Sequence, residues 1–228
     1  MNVHPTVKYT ALMMKPGSPI LYMITAAAVL IAILFKVPTL YLVAKPLLMV
    51  TLLIYFLSAS KGYPGWRMLV VFALVFSWGG DVFLMLDDMF VAGLASFLVA
   101  HIFYIIAYQK TGAATGKIKP FELVAFALYG IALMWILYPG LGGMFVPVAA
   151  YAVVLLTMGV WAHKRRGATA IASFRYVSTG VILFVISDSL IAINKFAFDV
   201  PAERLLVMST YITAQFLIIQ GLLEHKKA

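Results

Sequence analysis

Between positions 18 and 224 the chain is written almost wholly in apolar residues, gathered into eight runs of about twenty, and this leaves few folds open. The runs are 18–35, 39–59, 66–86, 88–110, 119–138, 144–163, 174–197 and 203–224. As helices, such runs reach roughly 27–36 Å at ~1.5 Å per residue, which matches a hydrocarbon slab of ~30 Å. Lipid offers no hydrogen bonds, so each run must satisfy its own backbone. The runs are also too long and too continuously apolar to be barrel strands. Composition agrees: 64% of the residues are hydrophobic and 11% charged, where soluble domains hold about half and a quarter. The expected fold is all-α, a polytopic membrane bundle of eight transmembrane helices forming one domain over residues 1–228.

Pro and Gly punctuate the gaps at Pro38, Gly62, Pro64-Gly65, Gly112 to Pro120 and Pro139 to Gly143. The first run is read as a retained span rather than a cleaved signal, because Phe35-Lys36-Val37-Pro38 offers no small-residue cleavage site. Orientation follows from the cations. Lys8, Lys15, Lys61, Arg67, Lys110, Lys117, Lys119, Lys164, Arg165, Arg166, Arg175, Lys226 and Lys227 fall on one side, and Lys36, Lys195 and Arg204 on the other. Thirteen against three predicts both termini in the cytoplasm, most simply across a bacterial inner membrane. The same asymmetry accounts for the net charge of +9, so nucleic acid is not expected as a partner.

Against this background a few polar groups stand out. Asp81 lies in Ser77–Asp88, S-W-G-G-D-V-F-L-M-L-D-D, and Asp188 in Ile186–Phe196, I-S-D-S-L-I-A-I-N-K-F. A carboxylate in hydrocarbon costs a few kcal/mol on insertion scales and marks function by default. The expected topology puts Asp81, Asp188 and Lys45 in the outer half of their helices, so three ionisable groups share one depth. Lys195 returns to the face of Asp188 two turns later, and Asn194 lies beside it. His101 and Tyr104 follow one stripe of the fourth run. Ser77 lies one turn before Asp81, and Gln215 is a polar group of the last run. Gly79-Gly80 would allow close approach of a neighbouring helix or a lipid. Asp87 and Asp88 read as a solvated turn and helix N-cap.

Several chemistries are missing. The absence of cysteine removes thiolate nucleophiles, Cys-ligated metals and disulfides. There is no G-x-S-x-G, H-E-x-x-H, P-loop or G-x-G-x-x-G, and His4, His101, His163 and His225 are too scattered for a catalytic zinc. No metal or cofactor is expected. What remains is a carboxylate pair in a lipid-accessible pocket, equipped for acid–base work or for a proton relay in a transporter or lipid flippase.

The stretches S-W-G-G-D-V-F-L-M-L, G-L-A-S-F-L-V-A-H-I-F-Y at 93–104, K-P-L at 45–47 and I-S-D-S-L-I-A-I-N-K-F resemble the YhhN-type lysoplasmalogenase family, in order and over most of the chain. The resemblance implies hydrolysis of the vinyl-ether bond of lysoplasmalogens, a lysophospholipid substrate, release of a fatty aldehyde and a glycerophospho-head group, and catalytic roles for Asp81 and Asp188. Lys45, His101 and Asn194 also fall in family motifs. With Tyr104, Lys195, Ser77 and Gln215 they make up the expected substrate-binding set.

Overall fold

A computed structural model describes residues 18–62 and 65–225. His4, Lys8, Lys15, Pro64, Lys226 and Lys227, all used in the sequence reading, lie outside the described residues. Within them the apolar runs fold as helices: α1 Ile20–Leu34, α2 Pro38–Ala59, α3 Arg67–Phe83, α4 Phe90–Tyr108, α5 Pro120–Leu141, α6 Phe145–Lys164, α7 Ile171–Phe196 and α8 Glu203–Leu223. No strand occurs among the described residues. Proline opens α2 and α5, where its fixed φ suits a helix and its missing N–H is no loss.

The loop expected at Pro139 to Gly143 is replaced by a single tight turn with no interruption of helical structure. Helix α5 continues to Leu141, and a 3₁₀ turn over Gly142–Met144 passes directly into α6. Pro139 lies inside α5, two residues before its end, so the helix gives up one hydrogen bond to the Trp135 carbonyl without stopping there, and Gly142 takes a φ of 47° that lets the chain turn at once. The described residues therefore form seven continuous helical bodies rather than eight separate spans. Five of these are long and apolar enough to cross a membrane, the joined Pro120–Lys164 stretch among them. Helices α1 and α3, with 15 and 17 residues, fall short of that length. The chain is a multi-pass integral membrane protein.

Two close helix pairs carry the core. Helix α7 lies against α8, and Gly180 makes their approach possible: a Cβ there would sit 2.8 Å from the Ala214 carbonyl oxygen. Helix α3 lies against α4, with Gly80 receiving the Phe97 ring, which a Cβ would overlap. The α1–α2, α3–α4 and α7–α8 connections gather at one end of the bundle and surround a common cavity. Asp88, in the second of these connections, has a φ of 60° and lies in the turn; Met89, not Asp88, precedes the first turn of α4.

The opposite end is basic. Arg165 was expected as a loop cation but is fully buried there. Its guanidinium donates to the Thr111 carbonyl at 3.3 Å, the Ser173 carbonyl at 3.4 Å and the Ser173 hydroxyl at 2.9 Å. It thus ties the π-helical turn Gln109–Ala113, which follows α4, to the start of α7. The Ser173 hydroxyl in turn donates to the Gly221 carbonyl of α8 at 2.5 Å.

Candidate active site

Helices α2, α3, α4, α6, α7 and α8 enclose a small chamber of about 70 Å³, and Lys45, Asp81 and Asp188 all line it. The other lining groups are apolar or aromatic, apart from Ser187 and the hydroxyls of Tyr151 and Tyr211. Asp81 lies two residues before the end of α3 and is 3% exposed, so water reaches it only through the chamber. Asp188 lies near the middle of α7 and is half-buried.

Each carboxylate is held by one tyrosine. The Tyr211 hydroxyl of α8 donates to Asp81 Oδ2 at 2.7 Å, and the Tyr151 hydroxyl of α6 donates a short hydrogen bond to Asp188 Oδ2. Behind Asp81 the network continues away from the chamber. Gln215 Nε2 donates to the Ser77 hydroxyl at 3.2 Å and to the Tyr211 hydroxyl at 3.4 Å. Tyr104 donates to Gln215 Oε1 at 2.8 Å. Ser77, Tyr104 and Gln215 are all buried, so they fix Tyr211 and do not line the chamber. Beside Asp188, the Ser187 hydroxyl donates to the Val207 carbonyl at 3.1 Å and pins α7 to α8 at this level.

His101 is fully buried and does not line the chamber. Its ring packs on Phe97, Phe184 and Tyr151 at centroid distances of 6.4, 4.9 and 5.3 Å. Neither ring nitrogen has a hydrogen-bond partner among the described residues. Lys45 is 7% exposed and makes no ion pair with either aspartate within 4 Å; its ammonium lies 5.7 Å from the Tyr41 ring centroid. A structural Lys45–aspartate salt bridge is therefore not what holds these helices together.

The chamber adjoins a larger vestibule of about 720 Å³, and the two share Lys45, Leu84, Phe90, Ile191, Val207 and Met208 as a neck. Lys36, Asp87, Asn194, Lys195, Glu203 and Arg204 also line the vestibule. Lys195 is exposed on the rim, with its ammonium 4.6 Å from the Phe90 ring centroid. The Asn194 amide oxygen accepts from the Val200 N–H at 2.9 Å and so shapes the α7–α8 connection.

The structure thus brings Asp81, Asp188 and Lys45 together, puts Ser77, Tyr104 and Gln215 behind Asp81 and His101 beside Tyr151, and leaves Asn194 and Lys195 at the vestibule. Sequence reasoning missed Tyr151 and Tyr211. A signal existed for the second: Tyr211 is one turn before Gln215 on the same face of α8.

The YhhN family model matches residues 40–222, which contain every one of these residues. The chain belongs to the YhhN family. Its relatives include the human protein Lysoplasmalogenase TMEM86A, 38% identical over 68% of this chain and 65% of that protein. The pig protein Lysoplasmalogenase TMEM86B is 35% identical over 77% of this chain and 72% of its own length. A Lysoplasmalogenase of Mycobacterium bovis is 30% identical over 58% of this chain and 50% of its own length. The chain spans just under two thirds of the first of these relatives. No solved structure matches it.

Proposed function

We propose that this chain hydrolyses the vinyl-ether bond of a lysoplasmalogen-type lysophospholipid, and that Asp81 and Asp188 perform the reaction together. One observation carries the reading: two carboxylates from different helices, each oriented by a buried tyrosine, face one small chamber beneath a polar vestibule. The names of the YhhN-family relatives supply the substrate class.

The chemistry needs a proton on carbon and a way to tolerate positive charge. One aspartic acid protonates the outer alkene carbon, and the electron pair of the double bond forms the new C–H bond. The resulting oxocarbenium ion is stabilised by the other, ionised carboxylate, which also takes a proton from the attacking water. The hemiacetal then collapses: the second carboxyl group gives its new proton to the glycerol oxygen as the C–O bond to glycerol breaks, and the first takes back the hydroxyl proton as the fatty aldehyde leaves. One water is consumed, and both carboxyl groups return to their starting states. This division of labour between two carboxyl groups is that of a glycosidase. No step in it calls for a metal.

In this account Lys45 places a fixed cation at the neck, between the aspartates and the vestibule. The vinyl-ether end of the substrate's single chain reaches the chamber, and its phosphate stays in the vestibule near Lys195 and Arg204. The basic opposite end supports an orientation with both termini cytoplasmic and the vestibule facing outward, across a bacterial inner membrane.

The test is aldehyde release from a lysoplasmalogen by the purified protein in detergent. Turnover without any membrane gradient supports hydrolysis. Binding without turnover would favour the rival reading, a proton-coupled transporter or lipid flippase that uses the aspartates as a relay.

A further inference from the structure

A separate cavity, of about 370 Å³, lies between α5 and α7 towards the basic end of the bundle and shares no lining residue with the chamber. Its walls are Phe121, Ala125 and Phe126 on α5 and Ile182, Val185 and Ile186 on α7. Tyr129, which is hydrogen-bonded to Ser189 of α7 at 2.7 Å, also lines it. The groove is largely hydrocarbon-lined and open at the surface of α5, where Phe121 is 66% exposed.

Polar groups collect at one mouth only. His163 of α6 lines it, with Nδ1 donating to the Gly159 carbonyl at 3.0 Å, which leaves Nε2 directed elsewhere. Glu122 also lines it, but its carboxylate is already engaged by the Arg166 guanidinium and the Lys119 backbone N–H. The Lys119 ammonium stands 5.8 Å from the ring centroid of Phe121, on the groove wall. Between positions 110 and 175 the chain has seven Lys and Arg residues, of which Arg165 is buried and bonded elsewhere, and one acid, Glu122. An apolar slot that ends in a surplus of cations matches a chain of hydrocarbon that ends in a negative charge.

We propose that this α5–α7 groove is a binding site for an anionic diacyl phospholipid of the surrounding bilayer. One acyl chain lies between Phe126 and Val185, and the phosphodiester sits at Lys119 and His163. A zwitterionic lipid fills the slot equally well but brings its own cation to a site that already has an excess, so selectivity resides at the mouth. Arg166 contributes less than Lys119, because Glu122 neutralises it. The site is separate from the hydrolytic chamber and does not depend on what that chamber does.

Native mass spectrometry of the purified protein, exchanged into equimolar phosphatidylglycerol and phosphatidylcholine and then stripped in detergent, tests the proposal directly. The expected result is one retained phosphatidylglycerol, at least fivefold over phosphatidylcholine. Ala125→Trp fills the groove without touching a charge and should abolish retention of both lipids. Lys119→Gln should leave total retention near wild type while the preference falls to about twofold or less. Equal retention of the two lipids by the wild-type protein overturns the proposal, as does undiminished phosphatidylglycerol retention by Ala125→Trp. If Ala125→Trp does not fold, Ile182→Trp fills the groove from α7 and is read in the same way.

Discussion

The hydroxyl of Tyr211 reaches 130 residues back along the chain to donate a 2.7 Å hydrogen bond to Oδ2 of Asp81, inside the membrane-spanning bundle. The bond fixes one carboxyl oxygen and leaves the other free to face the chamber. Tyr151 does the same for Asp188 from α6. Each acidic group is thereby positioned by a neutral donor, not by an ion pair.

Replacing Tyr211 with Phe should remove this donor without opening a cavity. A hydrogen bond to a charged group contributes about 1.5–3 kcal/mol, so turnover should fall roughly ten- to hundredfold. Tyr151→Phe should act similarly through Asp188. Steady-state aldehyde release, with folding checked by thermal unfolding, measures both. Unchanged turnover in Tyr211→Phe would mean that the hydroxyl does not orient Asp81.

Lys45 and Lys195 should separate kinetically. Lys45 is buried at the neck, where its charge acts at short range in a medium of low dielectric, whereas Lys195 is exposed on the rim, where water can replace it. Lys45→Ala should lower kcat by more than tenfold. Lys195→Ala should raise KM a few-fold with kcat nearly unchanged. Equal losses in kcat would contradict the placement of the head group in the vestibule.

Ile191 belongs to the neck that the chamber and vestibule share. Ile191→Trp should narrow it and cut kcat/KM by about a hundredfold, at an overpacking cost of about 1–3 kcal/mol in stability. An unaltered kcat/KM in a folded variant would show that substrate reaches the aspartates by another route.

Arg165 concerns stability, not turnover. Its replacement by Met leaves buried carbonyls of Thr111 and Ser173 without their donor, which should cost about 2–4 kcal/mol across the α4–α7 junction. Lys at this position should recover only part of that, because an ammonium cannot span the same acceptors. The apparent Tm measures the loss, and turnover per folded molecule should stay near wild type.

The sequence made the charged members of the site visible and hid the neutral ones. Asp81, Asp188 and Lys45 stood out because a charge in an apolar helix is costly to bury, and they line one chamber. Tyr151 and Tyr211 were invisible because a tyrosine in such a helix reads as packing; only the partner that the fold supplies makes it a donor. Ser77, Tyr104 and Gln215 were singled out, but as groups that touch substrate, and only the helix packing shows that they lie behind Tyr211. The α5–α6 junction misled for a local reason: Pro139, Gly140, Gly142 and Gly143 look like a loop, yet one positive φ at Gly142 makes the turn within three residues. Arg165 misled because a cation in a basic loop is ordinarily solvated, and nothing in the sequence announced the carbonyls that bury it.

In the proposed mechanism Asp81 and Asp188 act as one unit, and amide replacement probes that coupling. Asp81→Asn and Asp188→Asn keep shape and the tyrosine contacts while removing proton donation and charge. Aldehyde release should fall by several orders of magnitude in each single variant and little further in the double variant, because groups acting together are non-additive. Thermal stability should hold or rise, since a neutral amide is cheaper to bury than a carboxylate. Near-normal aldehyde release from either folded single variant would contradict the two-carboxylate account.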